Sequence, residues 1–160
     1  SAAGVSLDTS VLLRLLVAQP IDQFRVAIRF LQAQRANHIP VHVGDLVLAE
    51  GYFALLCFYR FSKRDALAAL SQFVEHSGVT VSLAARDSLA LPGLATAQPG
   101  FVDRLIHVAA HSSGHTLVSF EKAAKKLPAS LVLATLIEPL RIPSRRRSPA
   151  ADAPYPIAAG

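Results

Sequence analysis

The chain has no methionine and no tryptophan, and a single cysteine. One thiol forms no intrachain disulfide, so no disulfide framework holds this fold, and a reducing cytoplasm is the expected setting. Cys57 lies in an apolar run, where a lone thiol is expected to act as a small core residue. Charge is also scarce: 17% of residues are charged against 52% hydrophobic. Yet no uncharged apolar run reaches the ~18–20 residues that cross a bilayer. The longest candidate, LVLAEGYFALLCFYRF, is interrupted by Glu50 and Arg60. The opening SAAG lacks the basic and apolar regions of a secretory signal. There is no Walker loop and no G-x-G-x-x-G, which sets aside the common phosphate cradles. H-E-x-x-H and G-x-S-x-G are absent too, so the zinc-protease and nucleophile-elbow signatures are missing.

What remains fits one domain of 160 residues with a real core and net charge +5. A chain this apolar is expected to spend part of its surface on a partner. Val5–Leu7 predicts a short strand that stops at Asp8. Thr9 or Ser10 is placed to cap the helix VLLRLLVA, which Pro20 ends. Asp22 opens a second helix, with Phe24, Val26, Ile28, Phe30 and Leu31 mostly on one side and Arg25, Arg29 and Arg35 on the other. NHIPVHVGD reads as a connector with some extended character. Leu46–Phe61 predicts a long, nearly all-apolar helix. Ser62 caps a further helix that stops at Gly78. VTVSL has the continuous apolar character of a buried parallel strand. A weakly defined helix and the loop LPGLATAQPG lead to a helix over Phe101–Ser112. TLVSF predicts a third strand, EKAAKKL a short helix and SLVLA a fourth strand. Strands alternating with helices predict an α/β fold, a small parallel sheet with helices on both faces. This domain spans residues 1–134. Residues 135–160 hold five of the ten prolines together with Arg141, Arg145, Arg146 and Arg147, a composition that builds no core.

Four carboxylates stand at places where such a fold binds ligands. Asp8 follows the first strand and Glu121 follows TLVSF, and ligands of open α/β sheets lie beyond the carboxyl ends of strands. Asp103 opens the helix leading into TLVSF. Glu50 sits inside LVLAEGYFALL, where a lone buried charge is costly unless a cation or metal pairs it. A hard divalent ion takes several oxygen ligands, and near a phosphodiester it activates water and neutralises charge. Setting these four aside leaves seven acids against sixteen lysines and arginines, an acidic site in a basic chain, which suits nucleic acid.

The segments LDTSVLLRLL, VLAEGYFALL, FVDRLIHVAA and TLVSFEKAAKKL, in this order and spacing, resemble the PIN domain, in particular the VapC toxins. The resemblance runs from about Val5 to Leu133. It implies a three-layer sandwich and an endoribonuclease, dependent on Mg²⁺ or Mn²⁺, that forms the toxin of a type II toxin–antitoxin pair. Asp8, Glu50, Asp103 and Glu121 match its catalytic, metal-holding carboxylates. Thr9, Ser10 and Ser119 would orient them as hydroxyl donors. Glu121 is one methylene longer than the usual aspartate. Arg104 replaces a small residue and would hold a substrate phosphate or pair with a site carboxylate. Lys122 and Lys125 flank Glu121 as further RNA contacts. The implied partners are RNA, a small antitoxin protein and a second copy in a homodimer, with no membrane. The alternative is a degenerate PIN-like domain that binds RNA or protein without cutting.

His107, His111 and His115 recur every fourth residue, a zinc-compatible spacing, but without a companion carboxylate motif they are expected to face solvent. GYFALLCFYRF is expected to supply part of a dimer or antitoxin surface.

Overall fold

The computed structural model describes residues 4–134. The Pro/Arg-rich segment from 135 lies outside the described residues. The chain runs β1 (Val5–Leu7), α1 (Thr9–Val17), α2 (Ile21–Ala36), β2 (Val41–Val43), α3 (Asp45–Cys57), α4 (Lys63–His76), α5 (Leu83–Leu89), α6 (Phe101–Ser112), β3 (Leu117–Ser119), a 3-10 helix (Lys122–Lys126) and β4 (Ser130–Val132). This is an α/β chain with parallel strands. The strands form two separate pairs among the described residues, β1 with β2 and β3 with β4, in place of one sheet.

The partner of β1 comes from the stretch expected to be a connector. Val41 and Val43 are buried and His42 between them is exposed, the alternation of a half-buried strand. β1 and β2 pair in parallel with Val5 opposite Val41 and Leu7 opposite Val43. The expected strand VTVSL shrinks to one residue. Thr80 donates its N–H to Val41 O at 2.8 Å and accepts from Val43 N–H at 2.9 Å. Ser82 then ends the extended run, because its hydroxyl accepts the Ala85 N–H at 3.0 Å and caps α5.

Helix ends follow local chemistry. Asp8, not Thr9 or Ser10, is the N-cap of α1. α1 stops at Val17 with Ala18 in the left-handed region. Ser62 caps α4 by accepting the Asp65 N–H at 3.1 Å. α3 stops at Cys57, short of the expected Phe61, and the chain turns through Arg60 at φ 59°. Cys57 is exposed there, contrary to its expected burial.

The core gathers on α1, α3 and α4, with Leu12, Val43, Leu48, Leu55 and Leu70 fully buried. Leu48, Gly51, Tyr52 and Leu55 follow the i, i+3, i+4, i+7 spacing of one helix face. A Cβ at Gly51 would lie 2.9 Å from Leu12 Cδ2, so glycine lets α1 and α3 approach closely. α2 rides on the outside. Only Ala27 is buried, and Val26 and Phe30, expected on its inner side, face outward. Among the described residues no helix is long and apolar enough to cross a membrane.

Candidate active site: two pairs of carboxylates

Asp8 sits where β1 ends and α1 begins. Its Oδ1 accepts the Val11 N–H at 3.0 Å and the Ser10 hydroxyl at 2.8 Å. These bonds, the Val11 N–H first, hold its pKa below the usual 3.8, against the opposing effect of burial. The next residue ties this end to α3, for the Thr9 hydroxyl donates to Glu50 Oε2. Thr9 and Ser10 thus each donate a hydroxyl to a different carboxylate. Glu50 is exposed, which corrects its expected burial. It falls off the buried stripe of α3, and the apolar run around it is buried only on the far face.

Asp103 and Glu121 form the second pair. Asp103 is the third residue of α6 and accepts the Gly100 N–H at 3.0 Å, a capping contact. Tyr52 of α3 has a raised pKa, first from burial and then from the charge of Asp103. α3 thus carries Glu50 near one pair and Tyr52 near the other. Glu121 and Asp103 line a cleft of about 380 Å³ together with Ser119, Lys63 and Gln98. The Ser119 hydroxyl accepts the Glu121 N–H at 3.0 Å, so it shapes the turn and does not touch a carboxylate.

The structure joins Asp8 with Glu50 through Thr9, and Asp103 with Glu121 across one cleft. Among the described residues, no three His, Cys, Asp or Glu side chains stand together as a metal-holding group. None of the four carboxylates is ion-paired there: the only ion pair is His76 with Glu75 at 3.9 Å. All four are exposed. Arg104 turns to the preceding loop, its Nε donating to Pro99 O at 3.0 Å, and among the described residues it pairs with no carboxylate. Lys122 and Lys125 are exposed beside Glu121. Lys126 is fastened by its Nζ to Gln98 O at 3.1 Å.

Two residues escaped the sequence reading. Lys63 carries no signal beyond its place after the Ser62 cap, and only the fold puts it in the Asp103–Glu121 cleft. Tyr52, in the stretch expected to supply partner surface, is instead buried, and its phenol is raised by that burial first and by the charge of Asp103 second. His107 corrects a third expectation. It is buried, its Nε2 meets Pro128 O at 2.6 Å, and its ring stacks on His111. The carbonyl acceptor makes Nε2 the protonated nitrogen, so His107 pins α6 to the turn before β4.

Carboxylate oxygens are the donor type that a hard divalent cation takes, and here they stand as two pairs. Carboxylate oxygens held by hydroxyls and free of competing ion pairs suit Mg²⁺ or Mn²⁺, which bind through one or two carboxylates and keep waters. No family model matches the chain, and no curated protein or solved structure matches it.

Proposed function

We propose that this chain is a PIN-type endoribonuclease, dependent on Mg²⁺ or Mn²⁺, acting in the cytoplasm as the toxin of a type II toxin–antitoxin pair, with its layers arranged as the PIN sandwich. One observation carries the reading: Asp8 and Glu50, distant in sequence, are joined through Thr9 at the carboxyl end of β1, and neither is neutralised by a cationic side chain among the described residues. Asp8 and Glu50 would hold the ion, with Asp103 as a further ligand and Glu121 as a weaker one. The ion supplies a polarised water and charge neutralisation at the phosphate. Ser10 and Thr9 keep the two carboxylates aimed, which limits the reorganisation needed when the ion binds. Lys63, Lys122 and Lys125 offer positive charge to the RNA backbone beside the second pair. In-line attack of water on phosphorus breaks the P–O3′ bond and leaves a 5′-phosphate and a 3′-hydroxyl. A small antitoxin would cover the exposed aromatic surface at the end of α3, where Phe53 and the following Phe58 are open.

The test is cleavage of end-labelled RNA with Mg²⁺ or Mn²⁺ by the parent and by Asp8→Asn and Asp103→Asn. Loss of cleavage in both, with the fold kept, supports the reading. Equal rates in all three proteins would sink it.

A PIN-like domain that binds RNA or protein without cutting is the second reading. The commitment of Asp103 to the Gly100 N–H favours it, since a capping role alone accounts for that carboxylate. Calorimetric Mn²⁺ titration separates the two, for only the enzyme requires the ion.

A further inference from the structure

Arg14 stands one helical turn beyond Ser10 on α1, and the two share a helix face. Together they line two clefts. One, of about 800 Å³, also holds Asp8, and the other, of about 590 Å³, also holds Glu50. The Arg14 side chain is half-buried and fastened at two points. Its Nε donates to Gln23 Oε1 of α2 at 2.5 Å, and its Nη1 donates to the Tyr59 hydroxyl, just past α3, at 3.3 Å. Both acceptors are neutral, so these bonds aim the guanidinium without removing its charge. They use only part of its N–H groups. A guanidinium edge takes the oxygens of a phosphate through two parallel bonds, and one already held in place gives up little freedom in doing so.

The Glu50 cleft also has an aromatic wall. Phe53, three residues beyond Glu50 on α3, and Phe58, which follows α3, both line it. They are 49% and 83% exposed. An exposed ring takes an unpaired nucleic-acid base by stacking, and it does so whatever the base, since every base has a flat face. An aimed guanidinium and exposed rings in one cleft make two separate demands on an occupant. A nucleotide meets both, and its size suits a cleft of this volume.

We infer that this cleft is a nucleotide subsite, in which Arg14 takes a phosphate of a single-stranded RNA and Phe53 and Phe58 take the neighbouring base. That the strand is RNA rests on the nuclease reading. A phosphate beside an unpaired base follows from Arg14 and the rings alone. Glu50 lines the same cleft. A phosphate on Arg14 therefore lies beside the Asp8–Glu50 pair, and the stacked base sets the register of the strand against that pair.

The experiment uses the full chain in EDTA, which stops metal-dependent cleavage, and a labelled short oligoadenylate. Cys57 is the single thiol, exposed and in the same cleft, so its alkylation by iodoacetamide reports directly on occupancy. The strand is expected to slow that alkylation, and a strand of equal length with abasic sites to slow it far less. Phe58→Ala, at an exposed position past the end of α3, is expected to weaken binding about fivefold or more, the loss of one stacked base. Gln23→Glu keeps an acceptor for Arg14 and makes it a carboxylate. It is expected to weaken binding and to lower the slope of log affinity against log salt by about 0.7, one phosphate contact. An Arg14 that only ties helices together would be held at least as well by that carboxylate, and binding would not move. The other basic residues are the same in all these chains, so the differences belong to the cleft. A parent chain that fails to bind the strand, or binds it with Cys57 unprotected, overturns the proposal. So does equal affinity for the abasic strand, or unchanged binding in either variant, which would leave the rings to a protein partner. Binding as expected without cleavage in Mg²⁺ or Mn²⁺ would count against the nuclease reading alone. Cleavage by a chain whose binding ignores both substitutions would count against the subsite alone.

Discussion

Asp8 has two separable roles, and the residue scale is where they part. As a cap it satisfies an orphan N–H of α1. As a carboxylate it is a candidate ligand. Asn caps about as well as Asp, while Ala loses the contact at a cost of about 1 kcal/mol. Asp8→Asn is therefore expected to keep stability within about 0.5 kcal/mol of the parent and to lose RNA cleavage, whereas Asp8→Ala loses both. Chemical denaturation and a cleavage assay on the same proteins check this. The pH dependence has a definite sign. Because folding lowers the Asp8 pKa, its ionised form stabilises the fold above the usual 3.8, and that contribution is lost as pH falls through the lower native value. The Asp8→Asn protein is expected to show a smaller stability loss across that acid window. Thr9→Val keeps the volume and removes the hydroxyl that holds Glu50. It is expected to weaken Mn²⁺ dependence about 10–100-fold with the fold intact, read as cleavage rate against Mn²⁺ concentration. Asp103→Asn removes the charge felt by Tyr52. Ultraviolet titration of the phenol, with Tyr52→Phe as the assignment control, is expected to show the Tyr52 pKa falling part of the way toward 10.0, because burial remains. An unmoved phenol would mean that Asp103 does not face α3.

Helices in this chain are set by short contacts at their ends and by one close crossing. Gly51 is the crossing. A Cβ there meets Leu12, which is fully buried and has little room to yield. Gly51→Val adds more bulk at the same point, and overpacking of this kind costs about 1–3 kcal/mol. The expected result is a lower denaturation midpoint with an unchanged slope. An increase in stability would mean that Leu12 relaxes and that helix propensity wins. Ser82 joins two elements, since its hydroxyl caps α5 and also donates to Asp45 Oδ1 at 2.6 Å. Two boundaries depart from the sequence pattern, each for a local reason. VHV looked like connector because a histidine and a flanking proline masked a strand only three residues long. VTVSL looked like strand because its apolar run gave no sign that Ser82 would be spent as a cap.

At the scale of the whole molecule, one α/β core carries a C-terminal strand pair fastened at two points. The composition of the segment from 135, rich in proline and arginine, is one from which no core is expected. Truncation after Ala134 is expected to leave the thermal midpoint within a few degrees of the parent, measured by calorimetry. A large fall would show that the segment packs on the domain or on a second copy.

The sequence alone determined the number and rough extent of the long helices, because apolar spacing is a local signal that survives without tertiary context. It also singled out Asp8, Glu50, Asp103 and Glu121, since a charge in so apolar a chain stands out. Which of the four meet was decided only in three dimensions. Thr9 reaches Glu50 because Gly51 lets α1 lie close on α3, a contact across 41 positions that no local pattern encodes. Burial was decided there too. Glu50 and Cys57 stand in a run of apolar neighbours, yet a helix turns 100° per residue, and they fall outside the buried stripe of Leu48, Gly51, Tyr52 and Leu55. His107 went the other way, because the carbonyl that holds it belongs to Pro128, brought to α6 by the return of the chain into β4.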